Sequence, residues 1–546
     1  MKRAILLVAL MLASPLAARE DPEWTACDFG TDPKAGLLAT KRWFELGKEA
    51  GALDALRGNR SGWTNLAPGT RMPPLDACAK ALASPDLTPQ EWPRRVSLLQ
   101  AQAAHRIAAG DAAGALKDLD TVAQVVPAAA DPAEVARTTT VASDFLRGLA
   151  HAKLGTPEAA RFYGRAAAAR PWSGRVQGVA ETLLAQVPGA TAEQVAVAQR
   201  LVLIDVKGRE RRARLRFAAG DHAGALTDWR RVRPSVTDVT TVYVKFPNSI
   251  VVGMPGFPVK TIDPARVGAA AIAATLAGDA AQGREWIAEA KTKTAALPPM
   301  GGMLAQMYDR ERAIAELTRR LELVEVAEAH AAGRKDAAQS LLAAAAPLPD
   351  DDATLRLAAL VRGQPVPPRT PAGEVDPLRV LVLLPRYEGK TGGGGGVGEV
   401  LMGGSLLRSA QAGRNSYSKS RGFFKAGGFK EKQLADGRGT TIEFIGDTSS
   451  ALATEEMTLL RAADLAREAG KPAFVVLDKR DLQRTSTLTR NGTPMGPATP
   501  AGYVTQLDVA FVDPASLPAE LRDESDRTIA VDDVERVLGP EYKPQP

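Results

Sequence analysis

Between about residues 94 and 347, alanine-rich apolar stretches alternate with short breaks at Gly and Pro, and one local order returns several times. A helix of small residues is followed by a turn on Gly, a second helix led by Ala and a closing Pro. The clearest copy, LLQAQAAHRIAAGDAAGALKDLDTVAQVVP, predicts a turn at Gly110-Asp111. It also predicts a close helix crossing at Ala115 and a groove filled by Leu119 and Val122.

This pattern resembles the tetratricopeptide repeat, in which a small residue at the crossing lets two helices approach closely. The predicted turn glycines are separated by 45, 65, 58 and 55 residues: Gly110, Gly155, Gly220, Gly278 and Gly333. Tandem repeats of that family recur about every 34 residues. The sequence therefore predicts an irregular array with insertions, and the alternative is an unspecialised alanine-rich helical bundle.

Two segments interrupt or follow the array, which is assigned to residues 94–350. The β-branched stretch near 239–262 is broken by Pro and Gly and predicts a projecting β-hairpin, either a docking element or a cap over helix ends. Residues 351–377 combine a helix with a proline-rich stretch of linker composition.

A small α/β domain is predicted for residues 378–546. The apolar run Leu378–Leu384 is typical of a buried strand, and further strands are expected at Thr440–Ile445, Ala473–Leu477 and Tyr503–Val512. The expected fold class is therefore mainly α, a tetratricopeptide-like helical array followed by a small α/β domain.

Two helices are expected within this domain. Thr454 is expected to cap the first, which ends at Gly470 and carries Leu459, Ala462, Ala463 and Ala466 on one face. A last helix covers Val531–Leu538.

The N-terminus is typical of an export signal. Lys2 and Arg3 precede the apolar run Ala4–Ala13, and small residues lead to a predicted cleavage after Ala18. The run is about ten residues, whereas a membrane-spanning helix needs about 20. No cysteine follows the signal to accept a lipid, so we expect a periplasmic protein, with outer-membrane association as an alternative.

Cysteine use and charge narrow the picture further. Cys27 and Cys78, the only cysteines, lie in the N-terminal helical segment 19–93, and export favours a disulfide between them. The alternative is two unpaired buried thiols. The net charge of +6 falls when Lys2 and Arg3 are removed with the signal. So small an excess of positive charge does not imply nucleic acid as a partner.

A Gly-rich basic loop is predicted at residues 389–438. Its part from 408 to 438, called here the basic-aromatic segment, could bind an anionic polymer or a membrane surface. The alternative is a solvated loop whose aromatic residues anchor it. The candidate binding residues are Arg408, Arg414, Lys419, Arg421, Phe423, Phe424, Lys425, Phe429 and Lys430.

Residues 427–481 contain a Gly-Gly-aromatic segment, a strand ending in Phe-x-Gly, a helix with Arg-Ala-Ala-Asp-Leu, and a Gly before an aromatic-containing strand. The residues are Gly427, Gly428, Phe429, Phe444, Gly446, Arg461, Ala462, Ala463, Asp464, Leu465, Gly470 and Phe474. The order resembles the core of a family of small uncharacterised proteobacterial outer-membrane lipoproteins. The family's usual Glu is replaced by Asp464, and its lipid-bearing Cys is absent. The resemblance covers about a tenth of the chain and carries no catalytic residue across.

No motif in the sequence predicts a catalytic residue, a cofactor or a metal. Gly389-Lys390-Thr391 follows an apolar run as a phosphate-binding loop would, but Leu384 stands where that loop needs its first Gly. The four histidines fall in different repeat units and are interpreted as helix-surface residues: His105, His151, His222 and His330. The pairs Glu455-Glu456 and Asp532-Asp533 are interpreted as first-turn charges favoured by the helix dipole.

Three functions follow from these patterns. The first is an exported cell-envelope scaffold or adaptor that binds unidentified envelope proteins through the array. The second is a binder of an anionic envelope polymer or membrane surface through the basic-aromatic segment. The third is an enzyme whose site the sequence does not reveal. The oligomeric state is left open.

Overall fold

The computed structural model describes Cys27 and residues 74–85, 87–206, 208–235, 238–245, 251–297, 309–365, 375–385, 387, 417–418, 427–435, 437, 439–446, 449–486, 489–490, 493–494 and 499–543. The predicted signal at residues 1–18, most of segment 19–93 and the glycine-rich stretch 389–416 lie outside these residues. Within them, the fold is mainly α with a small C-terminal domain of helices and sheet, as predicted.

Helices follow one another along the first two thirds of the described chain. Their bounds are α1 Pro74–Leu82, α2 Trp92–Ala108, α3 Ala112–Val125, α4 Pro132–Arg137, α5 Thr139–Lys153, α6 Glu158–Ala169, α7 Gly174–Leu184, α8 Thr191–Ile204, α9 Gly208–Ala218, α10 His222–Val232, α11 Pro264–Leu276, α12 Ala280–Ala296, α13 Arg310–Ala331, α14 Lys335–Ala344 and α15 Asp352–Arg362. Neighbours pack as pairs, α2 with α3, α5 with α6, α9 with α10, α11 with α12 and α13 with α14.

Each of these five pairs turns at one of the five predicted glycines. All five have positive φ, between +69° and +92°, a conformation that only Gly adopts without strain. In three turns an Asp follows and caps the second helix: Asp111 accepts from the Gly114 amide at 2.8 Å, and Asp221 and Asp279 cap in the same way. Ala115 and Leu119 are fully buried where α3 packs on α2.

The predicted hairpin lies between α10 and α11. Strand β1 (Asp238–Lys245) pairs antiparallel with β2 (Val251–Thr261), from Asp238 opposite Thr261 to Lys245 opposite Val251. The prediction of an inserted β-hairpin is confirmed.

The prediction of a strand at Leu378–Leu384 is wrong. Helix α16 (Pro377–Leu383) stands there, with Pro at its first turn and Asp376 accepting from the Leu378 amide at 3.0 Å. An apolar run of seven residues does not distinguish strand from helix, and the Asp-Pro start decides for helix. This helix contacts α2, α5 and α7, so it belongs to the core of the array and not to the C-terminal domain.

The C-terminal domain contains the strands β3 Gly428–Gln433, β4 Thr440–Gly446, β5 Ala473–Ser486, β8 Thr499–Val512 and β9 Ile529–Ala530, with short strands β6 Thr489–Arg490 and β7 Thr493–Pro494. The first five form one antiparallel sheet in the order β3-β4-β8-β5-β9. The strands predicted at β4, β5 and β8 are confirmed, and β5 and β8 are longer than predicted. Residues 428–433, predicted as part of the basic loop, form edge strand β3.

Two helices cover one face of this sheet, α17 (Ala451–Glu468) and α18 (Val531–Tyr542). Ser450 caps α17 by accepting from the Ala453 amide at 3.2 Å, so the prediction of Thr454 as the cap is wrong by one turn. Gly470 follows the helix with φ +67°, as its predicted end requires. The 3-10 segment Ala519–Arg527 covers part of the opposite face.

The array and the C-terminal domain share a hydrophobic core. Trp172 and Ile204 of the array pack in one cluster with Phe444, Met457 and Phe474 of the domain. Contact across this boundary continues where α8 meets β5 and the 3-10 segment. The domain is therefore packed on the helices and not merely joined to them through the proline-rich stretch.

Candidate functional site: the junction of the array and the C-terminal domain

Two adjacent carboxylates of α17, Glu455 and Glu456, point into the boundary between the array and the domain, called here the junction. Both are buried, at 2% and 0% exposure. Because α17 begins at Ala451, they lie in its second turn, and their interpretation as first-turn charges is wrong. Asp532 and Asp533 do lie in the first turn of α18.

Glu456 accepts hydrogen bonds from two arginines of the array. Arg170 donates from Nε to Oε1 at 3.0 Å and from Nη2 to Oε2 at 2.7 Å, a two-pronged contact, and Arg137 Nη2 donates to Oε2 at 2.6 Å. The Tyr542 hydroxyl of α18 donates a further hydrogen bond to Glu456 Oε2 at 2.6 Å. Burial opposes the charge of Glu456, but Arg137 and Arg170 outweigh it and lower its pKa to about 2.

Glu455 binds the beginning of α7. Ser173 Oγ donates to Oε2 at 3.0 Å, and the Gly174 amide donates to Oε1 at 2.9 Å. A carboxylate is favoured here because the unpaired amides of a helix N-terminus carry partial positive charge. A Cβ on residue 174 would lie 2.7 Å from Glu455 Oε1, so the approach requires Gly174.

Lys479 completes this part of the junction from the sheet. Its Nζ lies 2.6 Å from Glu455 Oε1 and 2.7 Å from Asp481 Oδ2, and Thr505 donates to the other Asp481 oxygen at 2.9 Å. The register of β5 shifts between Val476 and Asp478, and this bulge turns Lys479 towards α17. Burial opposes the charge of Lys479, but Asp481 and Glu455 raise its pKa overall.

A second group of charges lies between α9, α10 and the 3-10 segment and is called here the arginine cluster. Its guanidinium groups belong to Arg209, Arg212, Arg216, Arg231 and Arg527, and its carboxylates to Asp228, Glu524 and Asp526, with Asp221 at the rim. Arg212 is fully buried and connects the array to the C-terminal domain. Its Nε donates to Asp228 of α10 at 2.8 Å, and its Nη2 donates to Asp526 of the 3-10 segment at 2.6 Å. Arg527 donates to the Val202 carbonyl of α8 at 2.8 Å.

Three helices of the array, α2, α5 and α7, have little surface left for a partner. Helix α16 packs on α2, α5 and α7 through Val380, Leu381 and Leu383, which are 0 to 5% exposed. In α7 every residue but Arg175 is buried. The chain itself therefore covers helices that would be open in a bare array.

The sequence candidates of the basic-aromatic segment separate into two groups. Phe429 is 4% exposed in the core of the domain, so it is not available to a ligand. Lys430 is exposed on β3, and its Nζ lies 3.6 Å from Glu443 Oε1. The others lie outside the described residues: Arg408, Arg414, Lys419, Arg421, Phe423, Phe424 and Lys425.

The aromatic residues of this segment that the structure describes act as anchors. Tyr417 packs edge-on against Phe429 with ring centroids 4.7 Å apart, and its hydroxyl donates to Asp464. Asp464 also binds Lys543, the residue that follows α18, at 2.6 Å, so it connects the end of α18 to the segment.

Cys27 forms a disulfide with Cys78 of α1. Beside it His105 is 7% exposed and donates from Nε2 to the Cys27 carbonyl at 2.7 Å. Its interpretation as a helix-surface residue is wrong, because Cys27 packs against that side of α2.

The described residues contain no group of His, Cys, Asp and Glu side chains that could hold a metal ion. None of the helices in this part of the chain combines the length and apolar composition that crossing a membrane needs. The cleft lined by Leu477, Phe511 and Leu521 measures about 50 Å³, whereas small-molecule sites usually exceed about 300 Å³.

No protein-family model matches the chain, and no curated protein matches it. The resemblances to tetratricopeptide repeats and to outer-membrane lipoproteins therefore stay predictions.

The sequence offered little warning of the junction. The partners of Glu456 lie 286 and 319 positions away along the chain, so no local pattern connects them. One signal was available: residues 452–460 hold seven uncharged residues around Glu455 and Glu456, and all nine are buried. Two carboxylates in so apolar a stretch of helix indicate buried carboxylates that pair with positive charges, and not a helix face exposed to solvent.

Proposed function

We propose that this chain is an exported, non-enzymatic scaffold of the cell envelope that binds protein partners. The observation that carries the proposal is the junction. Buried ion pairs and a shared core fix the C-terminal domain on the array, so that the two present their surfaces in one arrangement. A rigid scaffold offers partners an interface with little ordering cost.

Two β-hairpins extend from this scaffold and are the surfaces we assign to partners. One is β1–β2, inserted between two helices of the array. The other is the far end of β5–β8, where the part of β8 before Tyr503 pairs with β5 alone and not with β4. Hairpins carry backbone groups at their edges that can pair with a strand of another protein.

Site-specific crosslinking tests this assignment. A photocrosslinking amino acid in place of Tyr243 in β1 should give a discrete protein adduct in the cells that make this protein. The same residue in place of Glu285, exposed on α12, should not give that adduct. Absence of any adduct from Tyr243 and from Thr485 of β5 would contradict the scaffold proposal.

The export part of the proposal has its own test. Processing after Ala18 should give a mature protein that begins at Arg19 and fractionates with the periplasm. A cytoplasmic protein that retains residues 1–18 would contradict it.

A second candidate function is binding of an anionic polymer or membrane surface through the basic-aromatic segment. The Phe429 amide donates to the Ser418 carbonyl at 3.1 Å, which holds the two ends of the stretch between them at one point of the domain. That stretch contains Lys419, Arg421 and Lys425 and no acidic residue.

Sedimentation with cell-wall material and with anionic lipid vesicles tests this candidate. Changing the three cations together, as Lys419→Gln, Arg421→Gln and Lys425→Gln, should abolish co-sedimentation. The matched control changes three exposed arginines elsewhere on the domain, Arg467→Gln, Arg480→Gln and Arg536→Gln, and should leave it intact. Equal binding by both variants would exclude the segment as the binding surface.

A further inference from the structure

We propose that the arginine cluster contains a binding site for one small inorganic monoanion of the chloride class. The site lies between α9, α10 and the 3-10 segment Ala519–Arg527. It is distinct from the surfaces assigned to partners, since its central residues are buried inside the junction.

The charges of the cluster do not balance. Five guanidinium groups face four carboxylates, and this count includes Asp221, which is 53% exposed at the rim. Arginine stays protonated in proteins, so the excess charge cannot be relieved by losing a proton. A buried positive charge without a counter-charge is strongly unfavourable.

The unpaired donors fall on one residue, Arg209. Its side chain is 2% exposed, and its Nη2 pairs with Glu524 and lies 3.9 Å from Asp526 Oδ1. Among the described residues, its Nε and Nη1 have no hydrogen-bond partner, and Asp228 Oδ1 is 3.9 Å from Nη1, beyond hydrogen-bond distance. Three N–H groups of a buried guanidinium therefore remain unused, whereas Arg212 beside it has contacts on Nε, Nη1 and Nη2.

These observations specify the ligand. One negative charge balances the cluster, an acceptor that takes several N–H donors suits Nε and Nη1, and the burial of Arg209, 2% exposed, favours a small anion. A halide meets all three conditions. Because Arg212 and Arg231 both bind Asp526 of the C-terminal domain, an anion here would stabilise the docking of that domain on the array.

Chloride binding can be measured directly on the full-length protein. In buffers of constant ionic strength, with gluconate replacing chloride, wild type should broaden the ³⁵Cl magnetic resonance line, and bromide should displace the excess. The thermal midpoint should rise with chloride and then saturate, as linkage to a single site requires. Absence of excess broadening in wild type, or an equal midpoint in gluconate and chloride, would overturn the proposal without any variant.

Two variants locate the site. Arg209→Gln removes the unpaired guanidinium and should abolish both the excess line broadening and the chloride dependence of the midpoint. Arg536→Gln, at an arginine whose side chain is 72% exposed on α18, should retain both. A chloride response that persists unchanged in Arg209→Gln would place the anion elsewhere and overturn the proposal.

Discussion

Glu456 has no exposed surface, and its two oxygens take hydrogen bonds from Arg137, Arg170 and Tyr542. Replacing it by Gln keeps the shape of the side chain but removes the negative charge that faces Arg137 and Arg170. We expect Glu456→Gln to lower the free energy of unfolding by roughly 3–5 kcal/mol, measured by urea denaturation. Glu468→Gln is the matched control on the same helix, where a 60% exposed carboxylate pairs with Arg461 and its loss should cost under about 1 kcal/mol. Equal losses would contradict the role of Glu456.

The same carboxylate should make stability depend on pH. The folded pKa of Glu456, about 2, lies below the ordinary value of 4.5, so the carboxylate stabilises the folded state fully above about pH 4.5. This contribution is lost as the pH falls from 4.5 towards 2. We expect the urea midpoint of wild type to drop more steeply than that of Glu456→Gln across this range. Parallel pH profiles would show that Glu456 is not the group responsible.

Gly174 offers a test of the other carboxylate. Gly174→Ala would place a methyl group 2.7 Å from Glu455 Oε1, and we expect it to destabilise the protein because the carboxylate must leave the α7 amide. Gly164→Ala on α6 is the control, since no atom lies within 4 Å of the position that its methyl group would take. Helical Ala is favoured over Gly by about 0.5–1 kcal/mol. Thermal unfolding of both variants should therefore shift in opposite directions.

At the scale of elements, local signals predicted most of the fold. The five turn glycines lie where the sequence placed them because Gly after a helix and Asp before the next are local requirements of the backbone. The alternation in β4 and the hairpin β1–β2 are local in the same sense. The prediction of a strand at Leu378–Leu384 was wrong because a short apolar run does not distinguish strand from helix, and the local signal, the Asp376-Pro377 start, was not used.

Helix α16 therefore has a measurable place in the array. Leu381 is 5% exposed, and the substitution Leu381→Ala should lower the free energy of unfolding by about 2–5 kcal/mol. Leu360→Ala on α15, where the side chain is 40% exposed, is the control and should cost much less. A small loss at Leu381 would mean that residues 377–383 act only as a linker.

At the scale of the whole molecule, the sequence predicted two bodies but not how they meet. Composition separated the array from a C-terminal domain, and hydropathy placed three strands of its sheet, β4, β5 and β8. The junction could not be predicted, because Arg137, Arg170 and Arg212 look like ordinary charges on helical faces until the domain is packed against them. The scaffold proposal depends on this packing, since a domain on a free linker would not hold the two hairpins in one arrangement.

A double-mutant cycle between the bodies tests this packing most directly. Arg170→Met in the array, Glu456→Gln in the domain and the double variant are compared by the free energy of unfolding. If the ion pair forms across the junction, the double variant should be less destabilised than the sum of the single variants by about 1–3 kcal/mol. Additive effects, within about 0.3–0.5 kcal/mol, would mean that the C-terminal domain is not docked on the array through these residues.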